Sequence, residues 1–141
     1  MRFTLDSSSG INVIRAYGGG EIKVNQEVYR GPLIVGVSVV VPGPAISGAG
    51  ELAEAHAALV LALEPELVLL GTGARQSFPA ENFGALFLAK GIGLEVMDTG
   101  AACRTFNVLV AEHRRVVALL FPWPAEAPAG FDRVAKKMAR R

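Results

Sequence analysis

Three short apolar runs alternate with two stretches of helical period, and this alternation constrains the fold more than any other feature of the chain. The runs are LVLL (Leu67–Leu70), LEVMD (Leu94–Asp98) and VVALLF (Val116–Phe121). Each has the length and branching of a buried strand. PAENFGALFLAKG separates the first two, with Pro79 near its start and Gly91 past its end, the punctuation of a helix. AACRTFNVLVAEH separates the second and third. A β-α-β-α-β order packs most simply as a mainly parallel sheet covered by helices through right-handed crossovers.

A further helix is predicted upstream, where ELAEAHAALVLAL places Leu52, Leu59 and Leu63, with Val60 alongside, on one side. Glu64-Pro65 ends it, because a residue before proline is pushed out of helical geometry. The first third reads differently, as short strands. INVIRAY (Ile11–Tyr17) stops at Gly18-Gly19-Gly20, and EIKVNQEVYR carries Ile22, Val24 and Val28 around a turn at Asn25-Gln26. LIVGVSVVV (Leu33–Val41) reads as one β-branched strand closed by Pro42-Gly43-Pro44. Together these predict a meander or hairpin layer with one wet face. The tail FDRVAKKMAR brings Phe131, Val134 and Met138 to one side, so a short basic amphipathic helix is expected over 130–141.

At 141 residues, 51% hydrophobic and mean hydropathy +0.38, the chain suits one α/β domain over residues 1–141 with a real core. A strand-rich part is expected over about 1–45 and the alternating part over about 50–122. The formal net charge is +1, which argues against a general electrostatic grip on nucleic acid. Charge is uneven, however: residues 1–70 hold 4 Lys/Arg and 7 Asp/Glu, and residues 71–141 hold 10 and 6. Arg133, Lys136, Lys137, Arg140 and Arg141 supply much of that excess. One cysteine leaves no intrachain disulfide and no cysteine-based metal cluster. No apolar run is long enough to cross a bilayer, and the amino end, with Asp6, lacks the apolar region of a signal peptide. A cytoplasmic protein is expected.

Ligands of open α/β sheets sit beyond the carboxyl ends of the strands, which directs attention to two segments. Gly71 and Gly73 permit a tight turn with positive φ, whose N–H groups are able to form an anion nest crowned by Arg75 and Gln76. Yet GTGARQ matches neither a phosphate loop nor a dinucleotide fingerprint. Thr99 is placed as the N-cap of the next helix, with Asp98 adding negative charge at its positive end. Arg104, Asn107 and Glu112 form that helix's polar side, opposite Ala102, Phe106, Leu109 and Val110. Arg75 and Arg104 either clamp an anion or pair with Glu95, Asp98 or Glu112, or with acids on a partner protein. Cys103 reads as a buried, inert thiol.

No catalytic set emerges. His56 falls on the leucine side of its helix and His113 at a helix end, and neither sits in a metal-binding spacing. Ser77 lies outside a GxSxG elbow, and no spacing supports a triad of Ser77, His113 and Asp98. Trp123, between two prolines, packs over the sheet edge or anchors a partner.

LLGTG (Leu69–Gly73), Gln76-Ser77-Phe78-Pro79 and GIGLEVMDTGAACRTFNVLVAEHRRVVALLFP (Gly91–Pro122) resemble the family of the mitochondrial complex I assembly factor 3. Its bacterial and archaeal members form the domain of unknown function numbered 498/598, and this chain is similar to the bacterial ones. EVMDTGAACRTFNVL is the most specific stretch. The resemblance implies a three-layer fold, with a mixed central β-sheet, helices on one side, and an additional N-terminal β-layer with a helix on the other. It also implies a glycine where this chain has His113. Functionally it implies a non-catalytic assembly factor acting through protein contacts, with no cofactor and no metal. The expected function is therefore a soluble protein-interaction or assembly module, with protein partners and an open choice of homo-oligomer. Its expected surface comprises Gly71, Gly73, Arg75, Gln76, Phe78, Asp98, Thr99, Arg104 and Asn107. The alternative is a binding domain or enzyme for a small anionic ligand at the Gly71–Gln76 turn with Asp98, Thr99 and Arg104.

Overall fold

Alternating side chains along the last strand of the described residues organise the molecule. The structure, a computed structural model, describes residues 10–123. Strand β8 (Val116–Leu120) is buried along its whole length, with Val116, Ala118 and Leu120 facing one core and Val117 and Leu119 facing another. A strand buried on both faces must lie inside a sheet that is covered on both sides. β8 pairs parallel with β6 (Leu67–Gly71) and antiparallel with β4 (Leu33–Val35). β7 (Gly93–Met97) adds parallel to β6, and β5 (Val40–Pro42) antiparallel to β4, giving the mixed order β5-β4-β8-β6-β7.

Helices α1 (Glu54–Leu61) and α2 (Glu81–Leu88) cover one face, preceded by a 3-10 turn at Ala49–Glu51. Their core contains Val60, Phe83 and Phe87 against Val68, Leu70 and Leu119. Phe83 and Phe87 meet edge-on, with ring centroids 5.2 Å apart. Helix α3 (Thr99–Ala111) and a separate antiparallel sheet cover the other face. That sheet is β1 (Ile14–Gly18), β2 (Glu21–Val24) and β3 (Glu27–Tyr29). Ile14, Ile22 and Val24 meet Cys103, Phe106 and Leu120 there. Full burial of each large side chain contributes about 1.5–3 kcal/mol relative to exposure.

The structure matches the expected α/β three-layer class, with three local corrections. Leu33–Val41 is not one strand. Gly36 N–H donates to the Val39 carbonyl, folding the run into the β4–β5 hairpin, which joins the central sheet rather than the N-terminal layer. Buried Asn12 fixes that turn by donating from Nδ2 to the carbonyls of Gly36 and Val39, and Asn25 Nδ2 donates in turn to Asn12 Oδ1. Second, α1 is shorter than the leucine pattern implies, and Leu59 is 46% exposed while Ala57 and Val60 are buried. Third, α3 starts at Thr99 rather than after it. The basic helix expected over 130–141 lies outside the described residues. No helix among the described residues is long and apolar enough to cross a membrane.

Candidate interaction rim

The two segments singled out beyond the strand ends lie side by side on one rim of the sheet. Gly71 closes β6 at a point of close approach: a Cβ there would stand 3.0 Å from Ala102 Cβ, Leu120 Cδ2 and Thr99 Cα. Its role is contact rather than positive φ, which belongs to Gly73 at +101°. Thr72 N–H donates to the Met97 carbonyl, and Thr72 Oγ1 donates to the Arg75 carbonyl (2.6 Å) while accepting from Ser77 N–H (3.0 Å). Gln76 Nε2 donates to the Val96 carbonyl at 2.9 Å, so the loop also grips the outer edge of β7.

Of the N–H groups around the turn considered as an anion nest, those of Thr72, Gly73 and Ser77 are spent within the protein. Gly73 N–H donates to Thr99 Oγ1 at 2.7 Å. Thr99 is fully buried, and its hydroxyl donates onward to the Phe121 carbonyl at 2.7 Å. One hydroxyl thus ties the β6 loop, the start of α3 and the end of β8. The expected capping roles are exchanged accordingly: Asp98 is the N-cap, its Oδ1 accepting from Ala101 N–H at 2.8 Å.

Arg104 is exposed, and its Nη1 donates to the Tyr17 hydroxyl at 2.6 Å. A Cβ at Gly100 would lie 3.0 Å from Tyr17 Cε1, 3.3 Å from Arg104 Nη1 and 3.4 Å from Asp98 Oδ1. Three polar or aromatic groups thus converge where the helix has no side chain. Tyr17 leans on half-buried Trp123 with ring centroids 6.0 Å apart, and the Trp123 carbonyl accepts from Gly20 N–H. Phe78 is 68% exposed, and Arg75 is exposed on the same loop. Neither Arg75 nor Arg104 takes part in an ion pair among the described residues.

Asn107 leaves the solvent-facing group in which the sequence placed it. Its side chain accepts from Ile14 N–H and donates to the Ile14 carbonyl, both at 2.9 Å, acting as a surrogate strand partner for β1. Cys103 is buried beside it, and burial pushes its thiol up to about 12, far from the thiolate form at neutral pH. Tyr17 is the rim residue that sequence reasoning missed. Its only signal was an aromatic at a strand end before three glycines, and its contact with Arg104 spans 87 positions.

The opposite rim is built from charges. Glu66 accepts from Arg114 Nε (3.0 Å) and Arg115 N–H (2.9 Å), and these bonds hold its carboxyl below the usual carboxylate range. A shallow cleft of about 150 Å³ lies there between Gly36–Val39, Leu63 and Arg115–Val117. That is below the ~300 Å³ at which small-molecule pockets begin. His113 also belongs to this rim. α3 separates it from Asp98 and Ser77 by about 20 Å, so these three do not assemble. His56 Nδ1 accepts from Ala53 N–H. The described residues hold no group of three or more His, Cys, Asp or Glu suited to a metal.

A three-layer α/β protein with an internally bonded loop rim is the class that this geometry defines. The chain belongs to the family described as protein of unknown function (DUF498/DUF598), whose model matches residues 14–121. An uncharacterised protein of Rhodobacter capsulatus is 33% identical over 120 residues, covering 85% of this chain and 92% of that one. The chain is also homologous to the NADH dehydrogenase (ubiquinone) 1 alpha subcomplex assembly factor 3 of Danio rerio. That protein is 34% identical over 123 residues, 85% of this chain and 69% of its own length. A crystal structure of a Bordetella parapertussis protein superposes with TM-score 0.74 at 37% identity, covering 79% of this chain and 96% of that chain.

Proposed function

We propose that this chain is a non-catalytic protein-interaction module that serves the assembly of a larger complex, and that the Gly71 rim is its contact surface. The observation that carries this reading is Phe78. It is 68% exposed on a loop whose backbone is fixed by its own hydrogen bonds. A large aromatic held rigidly in water is an anchor prepared for burial, because little further ordering is needed when a partner covers it. Homology to a protein named as an assembly factor supports the same reading. The small-anion alternative has fewer donors to draw on, since the N–H groups of Thr72, Gly73 and Ser77 are used internally.

The test is site-specific photocrosslinking in cells, with a benzoyl-phenylalanine at position 78 and, as control, at exposed Leu59 on α1. The expected outcome is a discrete heavier adduct from position 78 that position 59 does not give. Identical adducts from both positions, or none from 78, count against the reading. We place the module in the cytoplasm as part of the same proposal, which fractionation of the tagged chain checks.

A further inference from the structure

We infer that the Gly71 rim docks an acidic peptide segment of a partner protein, one that pairs carboxylates with at least one large apolar side chain. This rests on the reading of the rim as a protein-contact surface and names the chemistry of what it contacts. Two arginines at the rim, Arg75 and Arg104, have no carboxylate partner among the described residues. Elsewhere Arg30 is paired with Glu21 and Arg114 with Glu66. The rim's own carboxylate, Asp98, already has Oδ1 committed to Ala101 N–H. The rim therefore carries two guanidinium groups without an ion pair against the carboxylate of Asp98, together with an exposed phenylalanine and the Tyr17–Trp123 pair.

The form of the donors selects the ligand. Three N–H groups that could otherwise serve a compact phosphate, those of Thr72, Gly73 and Ser77, are consumed within the protein. The charged donors are guanidinium forks, which match carboxylates and phosphates alike, and the exposed apolar groups of the rim favour a peptide over a free phosphate. Arg104 is pre-positioned, because the Tyr17 hydroxyl and the vacancy at Gly100 hold its Nη1 over the first turn of α3. Phe78 and the aromatic pair supply the apolar part of the contact. The chain's own Arg133–Arg141 segment has the wrong sign for this surface, since it carries five cations and no acid.

The experiment is selection of a random twelve-residue phage-displayed peptide library against the full chain, followed by titration of the enriched peptides. Enrichment of net-negative peptides containing an aromatic or aliphatic residue is expected. Their affinity should fall about tenfold or more in Arg75→Glu and in Arg104→Glu, fall as salt is raised, and partly return in Arg104→Lys. Circular dichroism melts confirm that each variant is folded, and Arg75→Glu touches only an exposed loop side chain. Enrichment of neutral or basic peptides that still require Phe78 overturns the acidic assignment but leaves the contact surface standing. Acidic peptides that bind the charge-reversed variants unchanged also overturn it. No enrichment at all overturns both readings. A dimer of the chain alone that Arg104→Glu dissolves makes a second copy the occupant and overturns the peptide assignment.

Discussion

The two rims of the central sheet are stabilised by opposite means. At the Gly71 rim, order comes from buried or short hydrogen bonds made by Thr72, Gln76, Asp98 and Thr99, and the arginines are left over. At the opposite rim the arginines are used internally, Arg114 by Glu66 and Arg115 by the Glu64 carbonyl, and two non-glycine residues, Glu64 and His113, hold left-handed backbone at φ +55° and +65°. One end spends its charges on itself and carries backbone strain; the other keeps its backbone relaxed and its charges free. The second arrangement is the one that suits the proposed contact, because a fixed backbone lowers the ordering cost of association and unpaired arginines offer charge to an opposite partner.

Replacing Thr99 with Val is expected to have the largest effect on this contrast. It strips the buried partner from both Gly73 N–H and the Phe121 carbonyl, and should cost about 2–4 kcal/mol in urea unfolding. A change below about 1 kcal/mol would mean that the hydroxyl does not organise this rim. Next comes Asn107→Leu, which leaves both backbone groups of Ile14 without their side-chain partner and should cost about 1–3 kcal/mol. Hydrogen exchange should show the loss concentrated in β1 and β2. At the other rim, His113→Gly should stabilise by about 0.5–1 kcal/mol, since glycine removes the left-handed penalty. The chain there already has the glycine-type helix ending, with His113 N–H donating to the Val110 carbonyl and Arg114 N–H to that of Leu109.

Glu66→Gln should move the neutral-pH midpoint least, because the carboxylate reaches solvent and its pairs are screened. Its signature is instead in acid. The folded carboxyl lies below its ordinary value, so its contribution is present above about 4.5 and is lost as pH falls through the lower folded value. The variant should therefore lose less stability than the parent between neutral pH and pH 3. Parallel acid titrations of the two would contradict this.

Period alone made the three parallel strands of the central sheet legible, while its mixed character came from the family resemblance. The apolar runs at 67–70, 94–97 and 116–120 sit where they were expected: β6 and β8 are buried almost throughout, and β7, at the edge, turns its apolar Leu94 and Val96 inward. The β4–β5 hairpin was hidden, since Leu33–Val41 is apolar almost throughout and its turn depends on Asn12, a residue from another layer. Thr99 and Asp98 are both competent helix caps, and only the nearby carbonyl of Phe121 decides which one is pulled inward. The Arg104–Tyr17 contact was equally invisible, because it joins residues that meet only after the small sheet has docked on α3. Interactions within one element could be read from the sequence; those that cross layers could not.

The order of strands has a consequence for synthesis. β8 is the last strand of the described chain, yet it lies in the middle of the sheet, flanked by β4 and β6. A ribosome that has released only the first 115 residues holds two separate strand pairs, β4 with β5 and β6 with β7, and the ladder that unites them does not yet exist. Cooperative folding therefore waits for the final strand to emerge, and until then the nascent chain exposes apolar edges that chaperones recognise.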